Sequence, residues 1–440
     1  MSNSGIAGAA PAGTYARPIA DVVAASLGRR YASERRFRLY GLAAITFAIV
    51  ALCILLFTVI RTAIPAFTQT MLTLEVTLYP QDIDPAGTRD PQVLSTADYQ
   101  KVVRDAIGDL FPDVTSRQDR RELFAMVSPG ATYFVRAKVL DDPSLIGKRV
   151  TVQIPLSDDL DQLAKGSISA ESLESERRVT DKQIEWFERL KSRGVIETVF
   201  NRTLFTAGDS RSPELAGVWG SVVGSFWTML ITLALSFPLA VGAAIYLEEF
   251  APKNRFTEII EVNINNLAAV PSIVFGLLGL AVFINFFGLP RSTPLVGGIV
   301  LALMTLPTII IASRAALKAV PPSIREGALG VGASKVQSVF HFVVPLAMPG
   351  MLTGAIIGMA QALGETAPLL MIGMVAFIVD IPSGPLDPAT VMPVQIYLWA
   401  DAPERAFVER SSAAICILLM FLVVMNLLAV VLRKQFERKW

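Results

Sequence analysis

The chain has 440 residues, of which 52% are apolar and 18% are charged, with a mean hydropathy of +0.51 and a net charge of +1. This composition excludes an ordinary soluble protein, whereas the near-zero net charge identifies no partner by itself, and no nucleic acid partner is expected. One histidine and two cysteines are present, and no G-x-x-x-x-G-K-[ST] phosphate loop occurs. We therefore expect no metal site, no catalytic histidine and no cofactor bound by this chain.

The N-terminal part is expected to form a tail followed by a membrane helix. Residues 1–38 are small, polar and arginine-rich, and we expect their first part to be disordered. Leu39 to Ile60 is uncharged over 22 residues, which is long enough to cross a bilayer. A cleaved signal peptide is the alternative, but no small-residue cleavage site follows the apolar run, so the sequence favours a retained helix.

Residues 61–215 differ from the rest and predict an inserted α+β domain of unknown role. Alternation of apolar and polar residues predicts strands within Leu74–Leu78, Tyr133–Val139 and Val150–Ile154. Periodicity and capping residues predict helices at Asp98–Phe111, Ser116–Val127 and Thr180–Arg193. No catalytic constellation is recognisable in the domain. Its charged clusters are expected to be solvated faces, at Arg120-Arg121, Arg177-Arg178 and Asp158, Asp159 and Asp161.

Five further apolar runs bring the number of predicted spans to six. They are Gly217–Leu247, Val262–Leu289, Thr293–Ser313, Leu346–Val379 and Ser411–Leu432. The run from Leu346 exceeds one crossing, but two crossings would place the basic C-terminal tail, 433–440, outside. We therefore count it as one, and predict a membrane core of five helices over 216–432.

The distribution of arginine and lysine predicts the orientation of the spans. If the N-terminus is cytoplasmic, the tails and short inner loops are rich in basic residues, whereas the short outer loops hold only Arg291, Arg405 and Arg410. Cytoplasmic segments carry such an excess, while long domains translocate regardless of charge. Both termini and the loop 314–345 are therefore predicted to be cytoplasmic, and the inserted domain extracytoplasmic.

The loop at 314–345 is predicted to contain a short capped helix. Ser334 followed by Gln337 is a capping-box pattern, and Pro345 is expected to end the helix. One predicted apolar face consists of Val336, Val339, Phe340 and Val343. Such a helix suits docking on another protein, lying flat in the lipid interface, or packing beneath the membrane helices, and its spacing leaves these three interpretations open.

One carboxylate, Glu365, lies within an apolar run, where a charge is costly unless it faces a water-filled path or a partner. It is either a pathway or gating residue, or a helix-end glutamate beside Pro368 at the outer interface. Arg314 is a possible ion partner of Glu365, or a plain positive-inside anchor. A carboxylate is a poor ligand for an anion, so an anionic cargo would be attracted by backbone N–H groups at broken helix ends.

Four motifs, in order along the chain, resemble a known family. Three are AIYLEEFAP (Ala244–Pro252), LAAVPSIVFGLLG (Leu267–Gly279) and ALGETAPLL (Ala362–Leu370). The fourth resembles the E-A-A…G…I-x-L-P cytoplasmic loop of ABC-importer permeases, at Glu326, Gly327, Ala328, Gly332, Phe342, Val344 and Pro345, with Gly327 in place of an alanine. Together they look like the membrane subunits of phosphate ABC transporters, and GETAPLL is similar to the PstA type rather than the PstC type.

The resemblance covers roughly Gly217–Leu432 and the first span, and the sequence departs from the family at two places. Gln361 stands where the family often has arginine, which puts an Arg–Glu pair at Glu365 in doubt. The domain from about 65 to 210 is absent from shorter family members, so the resemblance says little about its role.

The resemblance implies an all-α polytopic membrane protein like the type I ABC importer permeases, with an inserted α+β extracytoplasmic domain. It implies a permease subunit of an ATP-driven phosphate importer of a bacterial inner membrane, working by alternating access. Its partners would be an ATP-binding subunit dimer that holds the ATP, a second permease of the PstC type, a periplasmic phosphate-binding protein and phosphate. Two rivals are a permease for molybdate or sulfate, and a membrane-anchored phosphate sensor.

The resemblance also implies roles for particular residues. Coupling to the ATPase is expected at Glu326, Gly327, Ala328, Gly332, Ala333, Val336, Val339, Phe340 and Pro345. The translocation path is expected to include Glu365, Thr366, Gln361, Ser272 and Arg314. Catalytic and metal-binding residues are not expected in this chain.

Overall fold

A computed structural model of the chain describes residues 19–375 and 377–436. The predicted disorder at the start of the N-terminal tail and the last four residues of the predicted C-terminal tail lie outside the described residues. The chain divides into two units, one ending at Thr58 and the other beginning at Val59.

Helix α1, Ile19–Ala63, contains the first predicted span. Its apolar part is long and hydrophobic enough to cross a membrane. The helix begins well before Leu39 because the preceding residues include alanine, leucine and arginine, which favour helical backbone. A short 3-10 turn at Ile64–Phe67 follows it and leads directly into the inserted domain.

The inserted domain is built on an antiparallel sheet of three strands, β1 (Thr68–Thr77), β2 (Arg149–Pro155) and β3 (Ile196–Phe200), in the order β2-β1-β3. Apolar side chains of β1 form the core with the surrounding helices. These helices are α2 (Pro80–Ile83), α3 (Pro91–Thr96), α4 (Tyr99–Leu110), α5 (Arg117–Phe124), α6 (Ala131–Asp141), α7 (Asp158–Ala164) and α8 (Asp181–Ser192). The short helix α9 (Thr203–Thr206) packs in a separate cluster with residues of the membrane core. The three predicted helices and two of the three predicted strands are confirmed.

The predicted strand at Tyr133–Val139 is wrong, because this stretch lies in α6. Ala131, Val135 and Val139 are all buried, and their spacing of four residues is that of one helical face. The alternation of Tyr133, Val135 and Val139 with polar residues fits a strand equally well. Both edges of β1 are already paired, so this segment covers the sheet as a helix.

The prediction of solvated charged faces is confirmed at Arg120 and Arg121, which are exposed. It is wrong at Asp161 and Arg177. The side chain of Asp161 is 6% exposed, accepts from the backbone N–H of Thr70 and lies 2.5 Å from Lys165 Nζ. The guanidinium of Arg177 is similarly buried, pairs with Asp181 and donates to the carbonyl of Ala170. These charges are compensated within the fold, as buried charges must be.

The membrane core follows residue 216. Its helices are α10 (Trp219–Ile245), α11 (Arg255–Ala268), α12 (Ser272–Leu278), α13 (Pro294–Ala319), α14 (Pro322–Gly330), α15 (Lys335–Ser338), α16 (Val344–Gly364), α17 (Ala367–Met371), α18 (Met392–Ala400) and α19 (Ala406–Phe436). Turns of π type lie at Tyr246–Phe250, Gly279–Phe286 and Val339–Val343. Among the described residues, five helices can span a membrane, or six if one bent pair counts as a span.

Small residues bring α13 and α16 into close contact. Gly350 and Gly354 of α16 face Ala316 and Ala312 of α13, and a Cβ on either glycine would lie 2.5 Å from the facing alanine Cβ. Gly358, one turn further on, meets Ile309 in the same way at 3.3 Å. Small residues at four-residue spacing let helix backbones approach closely in membranes. The order of these contacts shows that α16 runs antiparallel to α13.

The span predicted at Val262–Leu289 is not one straight helix. α11 and the helix beginning at Ser272 meet at a bend of 103°. Pro271 lies at this break, where it has no N–H to donate and restricts the residue before it. The bend lies inside the LAAVPSIVFGLLG motif, so the motif's proline marks a corner.

Pro345 does not end the helix that starts after Ser334, which is also contrary to prediction. The helix continues through the π turn at Val339–Val343 into α16, giving one span over Lys335–Gly364. Pro345 lies in the first turn of α16, next to the wider π turn, where its missing N–H and its ring are tolerated. The apolar run predicted to reach Val379 leaves the helix at Gly364.

Candidate coupling surface and translocation residues

The loop predicted for coupling lies at the far end of α10 from the inserted domain. At its start, Val218 donates its N–H to the carbonyl of Leu204 in the inserted domain. Twenty-seven residues later α10 passes into the π turn Tyr246–Phe250, which contacts α14 through one ion pair. A helix of this length spans roughly 40 Å, about the thickness of a bilayer with its headgroups.

A patch of exposed apolar side chains, which we call the coupling surface, covers this end of the core. It consists of Leu329, Val331, Val336, Phe340 and Phe342, which are 45–83% exposed. The predicted apolar face is therefore divided: Val336 and Phe340 lie on this surface, whereas Val339 and Val343 are buried in the core. The division follows because the helix is continuous: one of its sides packs against the bundle, and the other side is exposed.

The turn before this helix is built as its sequence predicts. Gly332 has a φ of +90°, which only glycine adopts readily. This backbone conformation explains why the motif has a glycine at this position. The predicted capping box is confirmed, because Ser334 accepts from the N–H of Gln337 and the Gln337 side chain accepts from the N–H of Ser334. Ala333 donates its N–H to the carbonyl of Ala328, which closes the turn.

Arg325 ties α14 to the end of α10. Its guanidinium lies 2.6 Å from Glu249, whose side chain is 8% exposed, and it also donates to the carbonyls of Leu317 and Val320 at the end of α13. Several charge-assisted hydrogen bonds from one planar fork fix its orientation strongly. The neighbouring Glu326 is exposed and free to meet a partner.

Arg314 lies in a second ionic group at this same end of the core. It is 2.7 Å from Glu261 of α11 and 3.4 Å from Glu248 of the π turn, while Lys318 is 3.6 Å from Glu248. The proposed pairing of Arg314 with Glu365 is therefore wrong. Glu365 follows α16 at the opposite end, about 30 Å along the helix.

Glu248, Glu249 and Arg325 were not assigned roles from the sequence. Glu248 and Glu249 are visible in the AIYLEEFAP motif as two adjacent carboxylates at the end of an apolar run. Two carboxylates at a membrane helix end call for cationic partners. Those partners are 66 and 76 residues away in the chain, so no local pattern identifies them.

Glu365 and Thr366 lie in the short break between α16 and α17. Glu365 is half-exposed and donates its N–H to the carbonyl of Ala362, which makes it the C-cap of α16. No lysine or arginine of the described residues is within ion-pair distance of its carboxylate. The geometry matches the helix-end interpretation of Glu365, and it is also compatible with a position on a water-filled path.

The ALGETAPLL and LAAVPSIVFGLLG motifs meet in the structure. A Cβ on Gly276 of α12 would lie 2.7 Å from the Cα of Pro368 in α17, so this contact requires glycine. Ser272 begins α12 one turn before Gly276, and Gln361 lies on α16 one turn before Glu365. The structure therefore brings together the elements that carry four of the five translocation residues, and leaves Arg314 at the other end.

At the end of the core that adjoins the inserted domain, α19 meets this domain through a group of charges that we call the junction cluster. It consists of Asp158, Asp161, Lys165, Glu214, Glu409 and Arg410. Arg410 is buried and donates to the carbonyl of Ala216 at 2.8 Å, while Glu409 accepts from Ser167. Burial, reinforced by the nearby carboxylates of Asp159, Glu214 and Asp161, raises the pKa of Asp158 to about 7.

Comparisons with known proteins agree with this architecture. A family profile described as binding-protein-dependent transport system inner membrane component matches residues 236–440, and a domain of unknown function, DUF3333, matches residues 24–174. The chain is 34% identical over 154 residues to the probable ABC transporter permease protein YqgI of Bacillus subtilis, covering 35% of this chain and 52% of that relative. The chain thus spans about half the length of this relative.

Two further relatives are named phosphate transport proteins. Phosphate transport system permease protein PstA 1 of Mycobacterium tuberculosis is 29% identical, over 51% of this chain and 72% of the relative. Phosphate transport system permease protein PstC of Haemophilus influenzae is 30% identical, over 46% of this chain and 70% of the relative. Together with the five or six apolar helices, these matches show a multi-pass membrane protein with the type I ABC importer permease fold. The chain belongs to the family of binding-protein-dependent transport system inner membrane components, the permease subunits of ABC importers.

Proposed function

We propose that the chain is the permease subunit of an ATP-driven phosphate importer in a bacterial inner membrane. The observation that carries this proposal is the coupling surface, an apolar patch on a capped helix tied by Arg325 to the end of α10. The resemblance to PstA-type permeases supplies the cargo. Both termini and the coupling surface face the cytoplasm in this proposal, and the inserted domain lies on the outer side.

The partners follow from the same resemblance. An ATP-binding subunit dimer carries and hydrolyses the ATP, and one of its copies receives the coupling surface. A second permease of the PstC type completes the translocation path, and a periplasmic phosphate-binding protein delivers the cargo. The matched relative named PstC supports a paired arrangement of two similar permeases.

The mechanism is alternating access driven from the coupling surface. When the ATPase dimer closes, it displaces α14 and the helix after Ser334 as one piece. The Arg325–Glu249 pair carries this displacement to α10, and the close-packed glycine contacts carry it from α16 to α13. Rocking and sliding of packed helices is the usual way in which transporters alternate access. The contact between Gly276 and Pro368 couples α12 to the break at Glu365.

Uptake measurements test the cargo. In cells that lack other phosphate importers, restoring this chain with its partners should restore uptake of radiolabelled phosphate. Excess unlabelled phosphate should suppress it, while molybdate and sulfate should compete poorly. Stronger competition by molybdate or sulfate would reassign the cargo, and restored signalling without uptake would favour a membrane-anchored sensor.

A further inference from the structure

A polar cleft of about 500 Å³ opens between the inserted domain and the loop that precedes α19. One wall is the serine-rich segment 167–178, and the other is the turn at Pro403–Arg405. The side chains that matter here are Ser169, Ser172, Ser175, Arg177, Arg178 and Arg405. None of the positions expected from the sequence for coupling or translocation lies in this cleft.

The cleft has an excess of hydrogen-bond donors over fixed negative charge. Three guanidinium groups line it against two carboxylates, Asp159 and Glu176. Burial raises the pKa of Asp159, while the neighbouring Arg178 acts in the opposite direction. Guanidinium forks and hydroxyl groups are the donors that tetrahedral oxyanions bind best.

Arg177 provides the second, independent observation. Its side chain is 4% exposed, and its terminal nitrogens are engaged by Asp181 and by the carbonyl of Ala170. Its Nε is buried and has no hydrogen-bond partner among the described residues. A buried guanidinium N–H without an acceptor is costly, and because Arg177 borders the cleft, a small shift of its side chain would give this N–H an anion in the cleft as acceptor.

The two walls of the cleft are already linked. Arg178 Nη2 donates to the carbonyl of Pro403 at 3.3 Å, and Ser172 donates to the carbonyl of Ser169 within the opposite wall. Arg178 and Arg405 are both exposed, so each can rotate towards a ligand without breaking a buried contact. The two walls are therefore held together, and the guanidinium groups of Arg178 and Arg405 are available to a ligand.

We propose that this cleft binds an oxyanion of the phosphate class at the outer face of the core. The ligand is held by the guanidinium groups of Arg177, Arg178 and Arg405 and by the serine hydroxyls. Its source is either free phosphate or the phosphate of a lipid headgroup, because the turn at Pro403–Arg405 directly precedes a membrane span. This inference does not depend on phosphate being the transported cargo.

Direct binding tests the proposal. The full chain, purified in a maltoside detergent that carries no phosphate, is titrated with radiolabelled inorganic phosphate at constant ionic strength. We expect one saturable site that the double variant Arg178→Gln, Arg405→Gln weakens by at least about tenfold, because it removes both exposed guanidinium donors. Ser175→Ala keeps every charge and should weaken binding by about fivefold.

The matched control removes two arginines elsewhere on the same domain. Arg117 and Arg121 are exposed on α5, and Arg117→Gln, Arg121→Gln should leave binding unchanged. If the site takes a lipid headgroup, native mass spectrometry of lipid nanodiscs containing phosphatidylglycerol should show one retained lipid that only the Arg178, Arg405 variant loses. Absence of both ligands from the wild-type chain, or equal binding by the cleft variant and the control, would overturn the proposal. Phosphate uptake is measured separately, so a failed importer assignment leaves this result readable.

Discussion

Arg325 and Glu249 form an ion pair of 2.6 Å that joins the helix before the coupling surface to the end of α10. The two residues are 76 positions apart in the chain, Glu249 within one family motif and Arg325 immediately before another. In the proposed mechanism, this pair transmits a displacement at the ATPase contact to α10, which reaches the inserted domain.

Removing one partner of this pair should uncouple transport from ATP hydrolysis. We expect Arg325→Gln to reduce uptake at least tenfold while the ATPase still co-purifies, because the largely buried Glu249 loses its counter-charge and α14 loses its anchor. Exchange of the charges, Arg325→Glu with Glu249→Arg, should recover part of the activity. Lys253→Gln, an exposed cation near the same end of α10, serves as the control. Equal uptake by Arg325→Gln and Lys253→Gln would show that the pair does not transmit the displacement.

The contact between α13 and α16 should depend on the absence of side chains on α16. Gly354→Ala adds a Cβ where Ala312 leaves no room, and we expect it to destabilise the purified chain by about 1–3 kcal/mol. Ala312→Gly in the same chain should restore much of the loss. Gly327→Ala has open space around it and lies within a helix, so it should be neutral or stabilising. Thermal unfolding in detergent measures all three, and a Gly354→Ala chain as stable as Gly327→Ala would argue against this packing.

The junction cluster should make the stability of the chain depend on pH. The pKa of Asp158 is about 7 in the fold against an ordinary value of 3.8, so the folded chain holds this proton more tightly than the unfolded chain. The free energy of unfolding should therefore fall as the pH rises from about 4 to 7. Above that range, the stability that the protonated Asp158 contributes is lost. Burial raises the pKa of Glu214 as well, which acts with the same sign.

Asp158→Asn tests this dependence. The melting temperature of the wild-type chain should be higher at pH 6 than at pH 8, and the variant should raise the value at pH 8 and narrow the difference. Asp109→Asn, at an exposed position of the same domain, should leave the difference as it is. A wild-type melting temperature that rises from pH 6 to pH 8 would contradict the assignment of Asp158.

Glu365→Gln separates the two interpretations of this carboxylate. The substitution keeps the size of the side chain and removes its charge, so a role in gating predicts an uptake loss of about tenfold or more with the partners still assembled. Thr353, which lies on α16 three turns earlier, supplies the control Thr353→Val. If Glu365→Gln transports normally, the residue is only the cap of α16.

Local structure was largely predictable from the sequence, whereas its long-range consequences were not. The capping boxes at Thr180 and Ser334 depend on residues three apart, and both form as expected. The strand predicted at Tyr133–Val139 failed because a short apolar pattern fits two periods, and the already paired edges of β1 decided between them. The periodicity of a segment does not reveal which strand edges in the fold are already paired.

The candidate site divides in the same way. The motifs located the coupling surface and Glu365, since these follow from local composition. The partners of Arg314 and Arg325 depend on which helix ends the fold brings together, and four-residue spacing of Gly350, Gly354 and Gly358 was the available signal for the closest helix contact. Pro345 was expected to end a helix because the π turn that accommodates it has no sequence signature of its own.

The coupling surface is the central claim, and its test is co-purification. Tagged wild-type chain is solubilised gently, and the proteins that accompany it are identified by mass spectrometry. The same is done for Val331→Asp, on this surface, and Glu326→Arg, at an exposed position beside it. We predict that the wild-type chain brings down an ATPase with Walker motifs and a second six-span permease, and that both variants lose the ATPase while keeping the permease. Retention of the ATPase by both variants, with the chain folded, would contradict the account.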